Sequence, residues 1–303
     1  MKPIVRKTNK KAAFTIVELL TVMSIIVILI GLLVPALNQV KKFAYEVKQR
    51  TQLHSIDTAI EFFSSEFNGY PESSATDSTG TPYCGAMKLA EAMLGQDLRG
   101  FHPDSIFLAD GTNGLNKILY PKADSVDPAT YKMNISARKG PYLPLENANA
   151  YLLEDIYADI TPFGTGHFVL CDVFRRVTHR QTGQKIGMPI LYYRANTANS
   201  MHDVTNPDNP ENIYNYRDNQ QLLMLGMPWN PPPSGPPHKL AVENGKVGVR
   251  FYMNTRNEKV TTASIPYRDD TYILISAGWD GEYGTPDDII CNFDWKYQEM
   301  PIN

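Results

Sequence analysis

The chain has 303 residues, of which 43% are hydrophobic and 20% are charged, and its formal net charge is −3. This composition is ordinary for a folded protein of about two domains and excludes collagen-like and wholly disordered chains. A mean hydropathy of −0.31 excludes a polytopic membrane protein but leaves room for one span. The acidic surplus argues against nucleic acid as a partner, because nucleic-acid-binding domains usually carry a basic surplus.

The first forty residues follow the pattern of a targeting segment. Residues 1–13 contain five basic and no acidic side chains, and an uncharged apolar run extends from Leu19 to Leu37. As a helix, residues 14–37 would be about 36 Å long, enough to cross a hydrocarbon core of about 30 Å. Because basic flanks stay on the cytoplasmic side, the rest of the chain is expected in the periplasm or outside the cell.

One residue, Glu18, separates three interpretations of this segment. A plain signal anchor has no use for a carboxylate in the span, and neither has a secretory signal cleaved after Val34-Pro35-Ala36. A carboxylate inside an apolar span costs roughly 2.5–3.5 kcal/mol on insertion scales, so its presence indicates a function and a partner. The third interpretation is therefore a membrane-spanning segment in which Glu18 has a function and interacts with a partner.

Residues 10–20, which read KKAAFTIVELL, resemble the prepilin leader of type IV pilins and type II secretion pseudopilins. The resemblance implies that a prepilin peptidase cuts between Ala13 and Phe14, removing residues 1–13, and that Phe14 is then N-methylated. The family usually has Gly before the cut, where this chain has Ala13. The resemblance also implies that Glu18 acts in assembly and that Pro35 kinks the helix.

Electrostatics gives the implied pairing a physical reason. The new ammonium group of Phe14 would pair with Glu18 of a neighbouring subunit, and the pair offsets part of the cost of each charge in lipid. A head-to-tail contact of this kind repeats without closing and produces a helical filament. The expected partner is therefore a second copy of the chain.

Apolar residues continue at helical spacing beyond Pro35, and Asn68-Gly69-Tyr70-Pro71 is a strong stop signal. The pattern predicts one N-terminal helix over 14–67. Its part 14–37 would be transmembrane, and its amphipathic second half would pack on a periplasmic body formed by residues 68–303.

The body is predicted to contain one short helix and several strands, with no confident element over 95–150 and an irregular proline-rich loop over 205–237. The fold class is therefore α+β, a long helix packed on a small antiparallel sheet. This plan is type IV pilin-like and resembles most closely the major pseudopilin, with large insertions at about 72–168 and 195–270. The predicted helix covers 84–94, and the predicted strands cover 168–174, 190–194, 247–253 and 272–276.

An acidic loop follows the last predicted strand. Asp280, Asp287 and Asp288 lie within nine residues and are separated by glycines. This suits a hard cation such as Ca²⁺, although the spacing is not that of an EF-hand. The loop resembles the calcium loop of the major pseudopilins, which implies ligands from these three aspartates and the carbonyl of Ser276. The alternatives are a solvated acidic turn without metal and, for Asp288, a helix or turn cap.

The sequence shows no G-x-S-x-G, no P-loop, no Cys-x-x-Cys and no histidine pair at metal-ligand spacing, so we do not expect an enzyme. Three cysteines are too few for a disulfide scaffold, and one disulfide with one thiol is possible without an indicated pairing. These cysteines are Cys84, Cys171 and Cys291.

The expected function is that of a structural subunit of a periplasmic pseudopilus in a type II secretion system, which assembles as a helical filament for protein export. It would cross the bacterial inner membrane once, with the N-terminus cytoplasmic. The resemblance implies contacts with other pseudopilins and with the inner-membrane assembly platform. Two alternatives remain: a type IV pilin or minor pilin, and a membrane-tethered periplasmic enzyme or binding module.

Overall fold

The computed structural model describes residues 15–115, 117–261, 263–291, 295 and 297–300. The predicted leader, the cleavage site at Ala13 and Phe14 and the methylation site at Phe14 lie outside the described residues. The chain divides between Ala44 and Tyr45 into two compact units. The first helix, α1, extends over Ile16–Phe67 and contributes to both units.

The first unit consists, in its described part, of the N-terminal portion of α1. Its large apolar side chains are all exposed, and an 18-residue window of high mean hydropathy has none of its residues buried. The few hydroxyls bond to the helix itself: Thr21 Oγ1 donates to the Val17 carbonyl at 3.0 Å, and Ser24 Oγ donates to the Thr21 carbonyl at 2.8 Å. By length and composition, α1 is long and apolar enough to be a membrane span or a signal sequence.

The second unit, which we call the body, takes up the C-terminal portion of α1. One face of this portion is buried through Leu53, Ile56, Ile60 and Phe63, whose spacing of three and four residues is that of an amphipathic helix. The helix ends at Phe67, and Asn68 follows in the left-handed region with φ of 56°. The predicted end of the helix is therefore confirmed.

The main sheet of the body is antiparallel and has β8 (Tyr272–Ser276) between β5 (Leu191–Arg194) and β9 (Ile289–Ile290). Leu191 pairs with Ile275 across β5 and β8, and every residue of β8 is buried. The second helix packs on this sheet at Gly85, where a Cβ atom would lie 2.2 Å from the Tyr192 carbonyl oxygen. Glycine is therefore required for this close approach.

The other described strands form two-stranded antiparallel pairs, so the fold is α+β with a long N-terminal helix and small antiparallel sheets. The pairs are β1 (Ala150–Leu152) with β2 (Phe168–Leu170), β3 (Val177–Thr178) with β4 (Lys185–Ile186), and β6 (Val242–Glu243) with β7 (Lys246–Val247). The remaining helices are α2 (Gly85–Leu94), α3 (Pro128–Ala137), α4 (Leu145–Ala148), α5 (Leu153–Ile156), α6 (Gln220–Met224) and α7 (Val249–Thr255), with a 3₁₀ turn over Tyr216–Asn219.

Three features of the body differ from the predictions. The predicted strand over 247–253 is wrong, because the β6–β7 hairpin ends at Val247 and α7 begins after Gly248, which has φ of 71°. Residues 128–137 form a helix whose N-cap, Asp127, accepts hydrogen bonds from the Ala129 and Thr130 N–H groups. The proline-rich segment over 205–237 is not wholly irregular, since it contains the 3₁₀ turn and α6.

Candidate functional site

The N-terminus of α1 is capped by Thr15 and Glu18. Its Oε2 accepts hydrogen bonds from the backbone N–H and from Oγ1 of Thr15, both at 2.8 Å, and the Glu18 N–H donates to Thr15 Oγ1 at 3.2 Å. This reciprocal arrangement is a capping box. The Thr-x-x-Glu spacing that signals it is present in the sequence, and the sequence analysis did not interpret it. Glu18 therefore has a role within its own chain besides the predicted role in assembly.

Pro35 lies inside α1, which continues on both sides of it as one helix. Because proline has no N–H group, the carbonyl of Gly31 loses its usual intrahelical donor. Gly31 has open space around it, with no other heavy atom within 4 Å of a Cβ atom placed there. The kink at Pro35 stays a prediction.

The acidic loop lies between β8 and β9, and hydrogen bonds to the carboxylate of Asp287 hold it together. Its Oδ2 accepts a hydrogen bond from the Asp280 N–H at 2.9 Å, and its Oδ1 accepts one from Thr285 Oγ1 at 2.8 Å. The two arms of the loop approach closely at Gly278, where a Cβ atom would lie 2.1 Å from the Asp287 carbonyl oxygen. The fold thus brings Asp280 and Asp287 side by side.

Both Asp280 and Asp288 lie in surroundings that disfavour their charge. Burial, with the neighbouring charge of Asp287 as a further cause, raises the pKa of Asp280 to about 6. Asp288 is fully buried, and burial raises its pKa well above the usual range of a carboxyl. Its Oδ2 accepts a hydrogen bond from the Gly284 N–H at 2.7 Å, while its Oδ1 is buried without a hydrogen-bond partner.

The donor chemistry of the loop fits a calcium ion in one respect and not in another. The fit comes from the buried acceptor on Asp288 without a donor and from the two neighbouring carboxyl groups of Asp280 and Asp287. However, among the described residues, no group of three or more His, Cys, Asp or Glu side chains is arranged as a metal site. Of the six carboxylate oxygens of the three aspartates, four instead accept hydrogen bonds from the loop itself.

The predicted ligand Ser276 ends β8, and its hydroxyl donates to Asp172 Oδ2 at 3.1 Å. Asp172 is a buried carboxyl that the sequence analysis missed. Its Oδ1 accepts hydrogen bonds from the N–H groups of Phe174 and Met188, each at 3.1 Å. Burial raises the pKa of Asp172 to about 7. No short motif marks this residue, because two of its three partners, Met188 and Ser276, come from distant parts of the chain.

The segment around Asp172 also contacts α1. Gln49 Oε1 accepts a hydrogen bond from the Val173 N–H at 2.9 Å, and Gln52 Nε2 donates to the Cys171 carbonyl at 2.9 Å. Both glutamines are buried on the helix. Residues 171–173 are thus held by two side chains from the first helix and lie one hydrogen bond away from Ser276.

The cysteines are buried thiols rather than reactive sites. Cys84 and Cys171 are free, and the Leu274 N–H donates to Cys291 Sγ at 3.1 Å. Burial raises the pKa of Cys84 to about 11, so the thiolate needed for nucleophilic chemistry is scarce at neutral pH.

The body also has an open cleft of about 570 Å³ with mostly polar walls. At its edge Ser73 Oγ donates to Asp218 Oδ2 at 2.5 Å, and burial raises the pKa of Asp218 to about 7. The lining side chains include Arg194, Asn196, Asn199, Asp208, Asn212 and Arg217.

The chain was compared with protein-family models, with curated proteins and with solved structures, and no match was found in any of the three comparisons.

Proposed function

We propose that the chain is a membrane-anchored structural subunit of a type II secretion pseudopilus, and that it assembles with copies of itself as a helical filament. The observation that carries the proposal is the exposure of the apolar N-terminal portion of α1, together with the single carboxylate of Glu18 near its start. Exposed apolar surface costs about 25 cal/mol per Å² in water. Lipid, and then a bundle of like helices, would cover this surface.

The rest of the pilin-like plan is part of the same proposal. α1 would be a single inner-membrane span with a cytoplasmic N-terminus, and the body would lie in the periplasm. A prepilin peptidase would cut before Phe14, and other pseudopilins and the inner-membrane assembly platform would be further partners. The burial of α1 in the body from Gln49 to Phe63 supports one continuous anchor helix.

Two substitutions at Glu18 test the proposed assembly contact. Glu18→Ala removes both the charge and the cap. Glu18→Gln removes the charge but keeps an acceptor for the Thr15 N–H, because glutamine also serves in a capping box. If the charge pairs with the ammonium of a neighbour's Phe14, both variants lose the multimer ladder seen by crosslinking in membranes.

Glu46→Gln makes the same chemical change on the same helix outside the proposed span and should keep the ladder. All variants should stay in the membrane fraction after an alkaline wash. An undiminished ladder in Glu18→Gln would mean that Glu18 serves only as a helix cap.

We further propose that the acidic loop binds Ca²⁺ through Asp280, Asp287 and Asp288, with the carbonyl of Ser276 as an additional ligand. The support is the buried Asp288 oxygen without a donor and the mutual repulsion of neighbouring carboxylates. Calcium would supply the positive charge that the loop lacks. At free calcium 100 times the dissociation constant, the stabilisation would be roughly 2.7 kcal/mol.

The full chain in detergent should therefore melt at a higher temperature with calcium than with chelator. Magnesium should replace calcium poorly, because it requires a stricter octahedron. Asp280→Asn should abolish the shift, whereas Asp124→Asn, at an exposed position outside the loop, should not. Equal melting with calcium and with chelator would show a solvated acidic turn without metal.

Two other functions are distinguished by further observations. A type IV pilin or minor pilin would give filaments outside the cell and would be encoded near retraction genes rather than secretion genes. A membrane-tethered binding module is favoured by one feature, the polar cleft of about 570 Å³. Such a module would keep its function in the Glu18→Gln variant, because it needs no assembly contact.

A further inference from the structure

Aromatic rings cluster at the end of the body where its chain begins. The ring of Tyr45 lies 5.6 Å from that of Trp279 and 6.4 Å from that of Phe174, measured between centroids. Trp279 is 37% exposed, and Trp229 is 44% exposed. Two large indole rings are thus partly open to the surroundings.

Arg176 and a glycine connect Trp229 to the acidic loop. The Arg176 guanidinium lies 5.2 Å from the centroid of the Trp229 ring, and its Nε donates to the Asp280 carbonyl at 3.2 Å. A Cβ atom at Gly281 would lie 2.7 Å from the Trp229 ring, so glycine lets the indole lie against the loop. We call Arg176, Trp229 and Trp279 the Trp–Arg face.

Tyr45, whose ring packs on Trp279, is the first residue of the body. Tyr45 follows Leu37 by eight residues, which corresponds to about 12 Å along a helix. The apolar exposure of α1 does not stop at Leu37, because Val40, Phe43 and Val47 are also exposed. The headgroup layer on each side of a bilayer is roughly 5–8 Å thick. The rings packed on Tyr45 therefore belong to the part of the body that is joined to the proposed span by only eight residues of chain.

The residue types suit a membrane surface. Indole rings concentrate at the boundary of water and lipid, where the apolar ring and the polar N–H group are both satisfied. A guanidinium group binds phosphate through paired hydrogen bonds. Acidic side chains also occur in the adjacent loop, where Glu282 is paired with Lys239 at 3.3 Å and the Asp280 backbone N–H donates to Asp287.

We propose that the Trp–Arg face docks the body onto the phospholipid headgroups of the membrane that holds α1. This inference rests on the proposed function, because it requires α1 to be a membrane anchor. The body of an unassembled subunit in the membrane would then lie against the lipid surface. This contact would be lost when the subunit enters a filament.

Tryptophan quenching in vesicles tests the docking with the full chain. The vesicles contain phosphatidylethanolamine and phosphatidylglycerol, with a small fraction of lipid that carries a nitroxide on its headgroup. Trp229→Phe combined with Trp295→Phe leaves Trp279 as the reporter. The control carries Tyr142→Trp with all three native tryptophans replaced by phenylalanine. Tyr142 packs on Phe63, which is 18 residues after Tyr45 on α1, about 27 Å along the helix.

We expect the nitroxide to quench Trp279 several-fold more than the control reporter, and Arg176→Gln to reduce that difference. Equal quenching of the two reporters, or an unquenched Trp279 in vesicles that retain the chain after an alkaline wash, would overturn the docking proposal alone. A chain that the alkaline wash removes from the vesicles would overturn the anchor as well. If Tyr142→Trp does not fold, Phe62→Trp in the same background serves as the second reference, because Phe62 is 60% exposed and follows Tyr45 on α1 by 17 residues, about 26 Å along the helix.

Discussion

The two portions of α1 differ both in apolar content and in surroundings. From Ile16 to Val40 the large apolar side chains are all exposed, whereas Leu53, Ile56, Ile60 and Phe63 are buried almost completely. The first portion is apolar on all sides, while the second has polar residues on one face. A helix that is apolar all round needs an apolar environment outside its own chain, and a one-sided helix needs only a core.

Within this one helix, the second portion therefore stabilises the folded body, and the first portion is available for contacts outside the described chain. The second portion gains about 1.5–3 kcal/mol for each large side chain that it buries in the body. The first portion gains nothing comparable within the described chain, so its stabilisation has to come from lipid or from other helices. Matched substitutions in the two portions therefore have different expected effects.

The largest expected effect comes from a pair of leucines. Leu53→Ala removes a side chain with no exposed surface and should lower the free energy of unfolding of the body by about 2–5 kcal/mol. Leu29→Ala changes a side chain that is 60% exposed and should lower it by less than about 0.5 kcal/mol. Denaturant titration of the full chain in detergent measures both, and equal losses would contradict the division of α1.

The next effect concerns the contact between α1 and residues 171–173. Gln49→Ala leaves the buried Val173 N–H without its acceptor and should cost about 1–3 kcal/mol. Gln39→Ala, at an exposed position earlier in the same helix, is the matched control and should cost little. Denaturant titration measures both variants. An unchanged free energy of unfolding in Gln49→Ala would mean that water replaces the glutamine as the acceptor for the Val173 N–H.

The third effect is a change in how the free energy of unfolding depends on pH, and it comes from Asp172, which lies between Cys171 and Val173, the two residues that the glutamines hold. Its folded-state pKa is raised to about 7, so the folded chain retains a proton that the unfolded chain releases near pH 4. Its contribution to stability is complete below about pH 4 and is lost as the pH rises through 7. Over this range the free energy of unfolding should fall by about 1.4 kcal/mol per pH unit from this group.

Asp172→Asn should remove that contribution and leave the equal one from Asp218, whose pKa is also raised to about 7. The slope due to these two groups should therefore be about half as steep in the variant. Thermal melts at a series of pH values measure it, and an unchanged slope would mean that Asp172 ionises normally.

The sequence allowed good prediction where the pattern is local and regular. The end of α1 at Phe67, helix α2 and strand β8 were found because helical spacing, a stop signal and an apolar run are visible in a few residues. The α7 segment was misread as a strand because its apolar residues fit both periodicities, and Gly248 decides the outcome through its positive φ.

In the candidate sites as well, local patterns were predictable from the sequence, whereas contacts between distant segments were not. Glu18 was found from its charge, and its capping partner Thr15 could have been found from spacing. The neighbourhood of Asp280 and Asp287 was expected from the glycines between them. Asp172 could not be found, because its hydrogen bonds depend on three segments that meet only in the folded body. Trp229 reaches the acidic loop from the proline-rich segment for the same reason.

The intact mass of the chain purified from bacterial membranes that contain a prepilin peptidase tests the central claim most directly. If α1 is the anchor of a processed pilin-like subunit, the mass should show the loss of residues 1–13 and one added methyl group, assigned to Phe14 by fragmentation. Expression without the peptidase should give the uncut chain. A chain that still begins at Met1 in the presence of the peptidase, or one that begins at Leu37, would contradict the account.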